Sequence, residues 1–203
     1  MPQGVDVRIE IVLFDGFDEL DVFGPFEVLS TPGIDVALVT YDQPRVVTSQ
    51  RGVELRIGQT LGRPDGIVVP GGGWLSRGPR GAWAEAERGD LAAALVARKD
   101  DAQWIASVCS GAMLLAVAGL LEGRDATTNR AVFDELRPHV RAVLPERVVD
   151  AGDRITAGGL TAGLDLGLAL IDRILGPEAA AERSAGIEYV PQGRVHRTGM
   201  TSS

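Results

Sequence analysis

The chain has 203 residues, 45% of them apolar, with 26 glycines, one cysteine, two histidines and a formal net charge of −8. That length buries enough surface to fold without a disulfide or metal staple, and the composition describes a globular protein rich in tight turns, not a disordered one. The acidic balance excludes a phosphate-backbone reader, so no nucleic-acid partner is expected, and a lone cysteine places the chain in a reducing compartment, the cytoplasm.

The N-terminus, MPQGVDVRIEIVLF, lacks the basic-then-apolar pattern of a secretory signal. RIEIVLF (8–14) reads as a central strand, followed by the turn DGFDEL, in which Asp18 caps a helix over Glu19–Leu29. Pro25 inside that helix is expected to kink or restart it. IDVALVT (34–40) is a second strand, and RVVTS and VELRI form a small hairpin around QRG. GIVVP (66–70) is a short buried strand running into three glycines. Residues 82–99 have helical spacing, QWIASV (103–108) is a strand, and SGAMLLAVAGLL is a helix closed near Gly123. Its apolar run of nine residues is about half a membrane span, so no membrane partner is expected.

RAVFDELRP is a short helix, and ERVVDAGDRITAG gives two strands around a turn. A long apolar helix ends at Gly176 and Pro177, a last helix follows, and residues 192–203 read as a mobile tail. Strands and helices alternate, which predicts an α/β fold: one domain over 1–203, with a mainly parallel sheet sandwiched by helices.

Ligands of open α/β sheets bind at the carboxyl ends of strands, and three ends here carry unusual chemistry. One runs into Cys109-Ser110-Gly111, one into Pro70-Gly71-Gly72-Gly73, and one leads to Asp18, Glu19 and Asp21. A strand–cysteine–helix junction is the geometry of a nucleophile elbow. The helix N-terminus should lower the thiol pKa and make thiolate available near neutrality. The N–H groups of Gly72, Gly73 and Ser110 are candidate oxyanion donors.

The competing reading of Cys109 is inert packing, that of the glycines a plain loop, and that of Asp21 a cap or solvated charge. Neither His139 nor His196 sits in metal-ligand spacing or in an obvious position to serve as base, so no metal or other cofactor is expected. A carboxyl from the first loop is the remaining acid–base candidate. Beside a buried thiolate its pKa would rise, and it would donate a hydrogen bond to sulfur.

Four stretches, IVLFDGFDELDVFGPFEVL, DGIVVPGGG, IASVCSGAMLLAVAGLLEGRDATTN and ITAGGLTAGLDLGLALI, resemble the ThiJ/PfpI superfamily. That superfamily has a flavodoxin-like sheet shared with class I glutamine amidotransferases. Within it the likeness is greatest to the isocyanide hydratase family, whose L-D-x-x-G-P-x-x-V-L pattern matches Leu20–Leu29.

The resemblance implies Cys109 as nucleophile, Asp21 as its acid, Ser110 as the hydroxyl neighbour (threonine in those enzymes) and donors at Gly72–Gly73. It implies a small-molecule isonitrile substrate and a homodimer. Phe17, Trp74 and Asn129 are pocket candidates, with core packing the favoured reading for Phe17. Relatives often read A-T-T-H-W where this chain has A-T-T-Asn129-Arg130, so histidine and aromatic are both absent. PfpI-type proteases place histidine directly after the cysteine, so Ser110 disfavours a peptidase. AraC-type regulators share a similar glycine–proline helix but continue into helix-turn-helix units. Two alternatives stand beside the hydratase reading: a glyoxalase or deglycase acting on α-oxoaldehydes, and a cysteine-based redox sensor or non-catalytic binding protein.

Overall fold

The computed structural model describes residues 6–198. In chain order the first half comprises β1 (Val7–Leu13), α1 (Glu19–Leu29), β2 (Ile34–Thr40), β3 (Arg45–Thr48), β4 (Glu54–Ile57), β5 (Gly66–Val69), α2 (Ala82–Arg88) and α3 (Asp90–Val96). There follow β6 (Trp104–Val108), α4 (Gly111–Val117), β7 (Asp125–Ala126), α5 (Phe133–Leu136), β8 (Ala142–Val143), β9 (Val148–Asp150), β10 (Arg154–Ala157), α6 (Ala162–Leu175), α7 (Pro177–Gly186) and β11 (Val195–Arg197).

Seven strands form the main sheet in the order β11-β9-β10-β6-β5-β1-β2. The five from β10 to β2 are parallel, and β9 runs antiparallel to β10. The fully buried β5 and β6 lie between neighbours on both sides, which is why they read as unbroken apolar runs. β3 and β4 form the expected hairpin. The helices flank the sheet in two packed groups, α1 with α6 and α7, and α2 with α3 and α4. Because β10, β6, β5 and β1 are consecutive neighbours, their carboxyl ends bring four loops together.

Several elements differ from the sequence expectation. The helix expected over 82–99 is two, because Gly89 takes a left-handed conformation (φ 78) between α2 and α3. α4 stops at Val117, with Gly119 (φ 71) turning the chain away before Gly123. RAVFDELRP is not one helix: 3₁₀ turns at Arg130–Val132 and Arg137–His139 bracket the four residues of α5. Part of the supposed mobile tail is ordered, since Val195–Arg197 pairs in parallel with β9. Residues 199–203 of that tail lie outside the described residues.

α1 runs through Pro25 without restarting, capped by Asp18, whose Oδ1 accepts the Leu20 N–H at 3.1 Å. It also packs unusually close to α6. A Cβ on Gly167 would stand 2.7 Å from Val28 Cβ, and one on Gly163 would stand 3.0 Å from Pro25 Cδ. This approach seals the inner face of α1 and leaves Asp21 with no exposed surface.

Candidate active site

The chain leaves β6 directly into Cys109, which holds a left-handed backbone (φ 55). A non-glycine residue there costs about 1–3 kcal/mol and persists only when its surroundings enforce it. The surroundings are specific. The Cys109 N–H donates to the carbonyls of Ala157 (3.1 Å) and Gly158 (2.8 Å), and Thr128 Oγ1 donates to the Cys109 carbonyl at 2.7 Å. Gly111 follows, and a Cβ on it would lie 2.2 Å from the Val69 carbonyl oxygen, so only glycine lets α4 start this close to β5. The elbow expected from the sequence is present, and Cys109, 6% exposed, meets a cavity of about 200 Å³.

Asp21, on α1, is fully buried and lies behind the cavity lining. Its Oδ2 accepts the Gly71 N–H at 3.0 Å, and its Oδ1 has no partner of good hydrogen-bond geometry. The Cys109 side chain is one of the groups, with the Gly71 and Leu160 N–H, that favour the ionised form of this carboxyl. The Ser110 hydroxyl accepts the Gly72 N–H at 3.0 Å. That contact engages the Gly72 N–H, so Ser110 and Gly72 brace each other across the β5 and β6 ends. Gly72 (φ 124) and Gly73 (φ 67) both need backbone angles that favour glycine, and both line the cavity with Ser110.

The acidity of the pair follows from burial. Asp21 is pushed up to about 7, first by loss of solvent and then by the Asp18 charge. Cys109 is pushed up to about 11 by the same burial and by the Asp21 charge. The sequence expectation of a depressed thiol is therefore overturned. The Ser110 N–H does favour thiolate, as the helix start should, but desolvation outweighs it. Asp21 moves in the direction expected. Between about pH 7 and 11 the two groups together hold one proton.

A model of the DJ-1/PfpI family matches residues 7–173. The chain belongs to the DJ-1/PfpI family. It is 36% identical over 190 residues to the isonitrile hydratase of Pseudomonas putida, a span covering 91% of this chain and 79% of that enzyme. It is 25% identical to a deglycase of Thermococcus kodakarensis over 64% of this chain and 77% of that one. Its structure resembles a ThiJ/PfpI family protein from Pseudomonas syringae with a TM-score of 0.82 at 29% identity, covering 94% of this chain and 78% of that chain. The fold also matches Drosophila melanogaster DJ-1beta with a TM-score of 0.80 at 22% identity, over 92% and 100% of the two chains. The flavodoxin-like sheet implied by the sequence is thus the fold of this DJ-1/PfpI protein, and its likeness to the hydratase supports a DJ-1/PfpI family enzyme.

Of the pocket candidates, Trp74 and Asn129 line the cavity, whereas Phe17 is fully buried in the core. Phe17 is a correction with a simple cause: it precedes the α1 cap and points with Phe14 into the apolar layer. Trp74 is fixed by its Nε1–H, which donates to Glu135 at 2.9 Å. Arg77 bonds the same carboxylate and stacks 3.7 Å from the Trp83 ring centroid. His139 and His196 are exposed and contribute nothing to the cavity.

Leu160 was not singled out from the sequence. It has a left-handed backbone (φ 46), lines the cavity, and its backbone N–H bears on both Asp21 and Cys109. The one available signal was its place after the β10 strand end, inside GGLTAG. Among the described residues no group of acidic, histidine or cysteine side chains is arranged to hold a metal, and no helix is long and apolar enough to cross a membrane.

Proposed function

We propose that this DJ-1/PfpI protein is a cysteine-dependent isonitrile hydratase, converting an isonitrile and water to an N-substituted formamide. The observation that carries this reading is the buried Asp21 carboxyl set against Cys109 on its elbow. An isonitrile carbon must gain a proton and a nucleophile at the same atom. A site for it therefore needs an acid beside a nucleophile, and the reading is supported by Asp21 and Cys109 lying near enough for each to shift the other's acidity.

In the one-proton state of the pair, sulfur adds to the terminal carbon while the shared proton passes to that carbon. The product is a thioimidate with the Asp21 carboxylate left free. Water then adds to the thioimidate carbon, and Asp21 carries a proton from water to nitrogen. The carbon–sulfur bond breaks as the formyl C=O forms, and the departing sulfur regains the remaining proton through Asp21. Carbon, nitrogen and protons balance to one isonitrile plus one water, and the pair returns to its starting state.

The 36% identity to isonitrile hydratase supports the same chemistry. The oxoaldehyde reading has the deglycase relatives on its side, but no histidine lines the cavity beside the cysteine. A thiol that is 6% exposed and raised to about 11 is a poor redox sensor, which needs an accessible, acidic thiol. A panel of neutral alkyl and aryl isonitriles and α-oxoaldehydes distinguishes the enzymatic readings. We expect formamide production with kcat/KM at least tenfold above any oxoaldehyde turnover, and oxoaldehyde turnover equal to or above isonitrile turnover would reverse the assignment.

A further inference from the structure

Asn129 is the residue of this chain that stands where relatives often carry histidine, and its geometry gives it a definite task. Its Oδ1 accepts the Ala131 N–H at 3.0 Å and so caps the 3₁₀ turn at Arg130–Val132. With the oxygen committed to a backbone donor, the amide NH₂ must face the other way, and it donates to Cys109 Sγ at 3.4 Å. Gly159 leaves the space the amide occupies, since a Cβ there would lie 3.0 Å from Asn129 Nδ2. The adjacent Thr128 hydroxyl ties the same segment to the Cys109 carbonyl. Two hydrogen bonds, from Ala131 N–H to Asn129 Oδ1 and from Thr128 Oγ1 to the Cys109 carbonyl, therefore hold the segment that aims one N–H donor at the sulfur.

We propose that Asn129 is a dedicated thiolate donor that steadies the Cys109 sulfur and leaves Asp21 as the only side chain able to exchange a proton with it. An amide NH₂ donates but takes no proton near neutrality, whereas an imidazole at this place would compete with the carboxyl. The titratable groups facing the sulfur are consistent with this division. Asp21 lies on α1, Asp18 lines the cavity with its carboxylate 3.1 Å from the Arg51 guanidinium, and among the described residues no lysine, arginine or histidine lines the cavity. In the second half of the proposed reaction the donor assists the bond that breaks, by receiving the negative charge that returns to sulfur. That half of the assignment rests on the hydratase reading; the hold on the sulfur does not.

The test measures thiol titration separately from turnover. Cys109 is alkylated with iodoacetamide across pH 6–11 in the wild type, in Asn129→Asp and in Asn129→Ser. Both variants keep an oxygen that can cap the 3₁₀ turn and neither presents an N–H to sulfur, but Asn129→Asp also adds a negative charge beside it, so Asn129→Ser isolates the lost donor. We expect the alkylation rate across this range, which lies below the thiol's midpoint, to fall, by about tenfold at pH 8 in Asn129→Asp and about three- to tenfold in Asn129→Ser, at unchanged melting temperature. A rate within twofold of wild type in folded Asn129→Ser would overturn the proposal. Slower alkylation in Asn129→Ser together with a wild type inert toward every isonitrile would uphold the hold on sulfur and reject the hydratase reading instead.

Discussion

Replacing Cys109 by alanine should lower kcat/KM for isonitrile hydration at least about 10⁴-fold, to the background of the assay, while the protein stays folded. The size of the effect follows from the proposed covalent route: without sulfur no thioimidate forms, and water must add unaided. The fold should survive because alanine meets the same backbone demand as cysteine at φ 55. The elbow is also held by backbone and Thr128 contacts that do not involve sulfur. Circular dichroism and a melting curve next to the kinetic assay separate lost chemistry from lost structure. A variant that keeps even a tenth of wild-type rate would mean that the thiol is a bystander.

The second large effect is expected of Asp21→Asn. Asparagine is nearly isosteric and can still accept the Gly71 N–H through its oxygen, but it can neither give nor take the proton. Loss of a positioned acid–base group costs about 10²–10⁴ in kcat. The pH profile carries the sharper information. Asp21 is raised to about 7 in the folded protein, so below that pH both members of the pair are protonated and the reactive one-proton state is depleted. Wild-type kcat/KM should therefore fall about tenfold per unit as pH drops below about 7, and level off above it. In Asp21→Asn that acid limb should vanish. Removing the carboxylate charge should also bring the Cys109 thiol down from about 11, because that charge is one cause of its elevation. A variant that retains the limb near pH 7 would assign it to another group.

What the sequence made legible was local. Apolar runs marked β1, β5 and β6, and the punctuation after each showed where chemistry sits, so the elbow at Cys109 and the glycines after β5 were readable as strand ends. Asp21 was readable only through a pattern match, since a carboxylate near a helix start is ordinarily a solvated cap. What makes it different is the α1–α6 contact, carried by Gly163 and Gly167 more than 140 residues away.

The acidity of the thiol was misjudged for the same reason. A helix start is visible in sequence, but the burial that outweighs it depends on several loops closing over one atom. Asn129 was named as a pocket residue from a family difference. Its reach back to sulfur across 20 residues follows from the fold of the β7–α5 segment, which no periodicity announces. Leu160 was missed because a leucine beside glycines gives no sign that its backbone will turn left-handed. β11 was missed because three residues in a polar tail become a strand only when β9 offers an edge.

The most direct measurement is intact-mass analysis of enzyme quenched during isonitrile turnover, followed by peptide mapping. Covalent hydration through Cys109 requires a fraction of the protein to be heavier by the full mass of the isonitrile, with the added mass on the peptide containing Cys109 and absent from Cys109→Ala. Steady turnover of the isonitrile with no such adduct at any quench time, and with the rate unaffected by loss of the thiol, would show that water attacks the isonitrile directly and that sulfur takes no part.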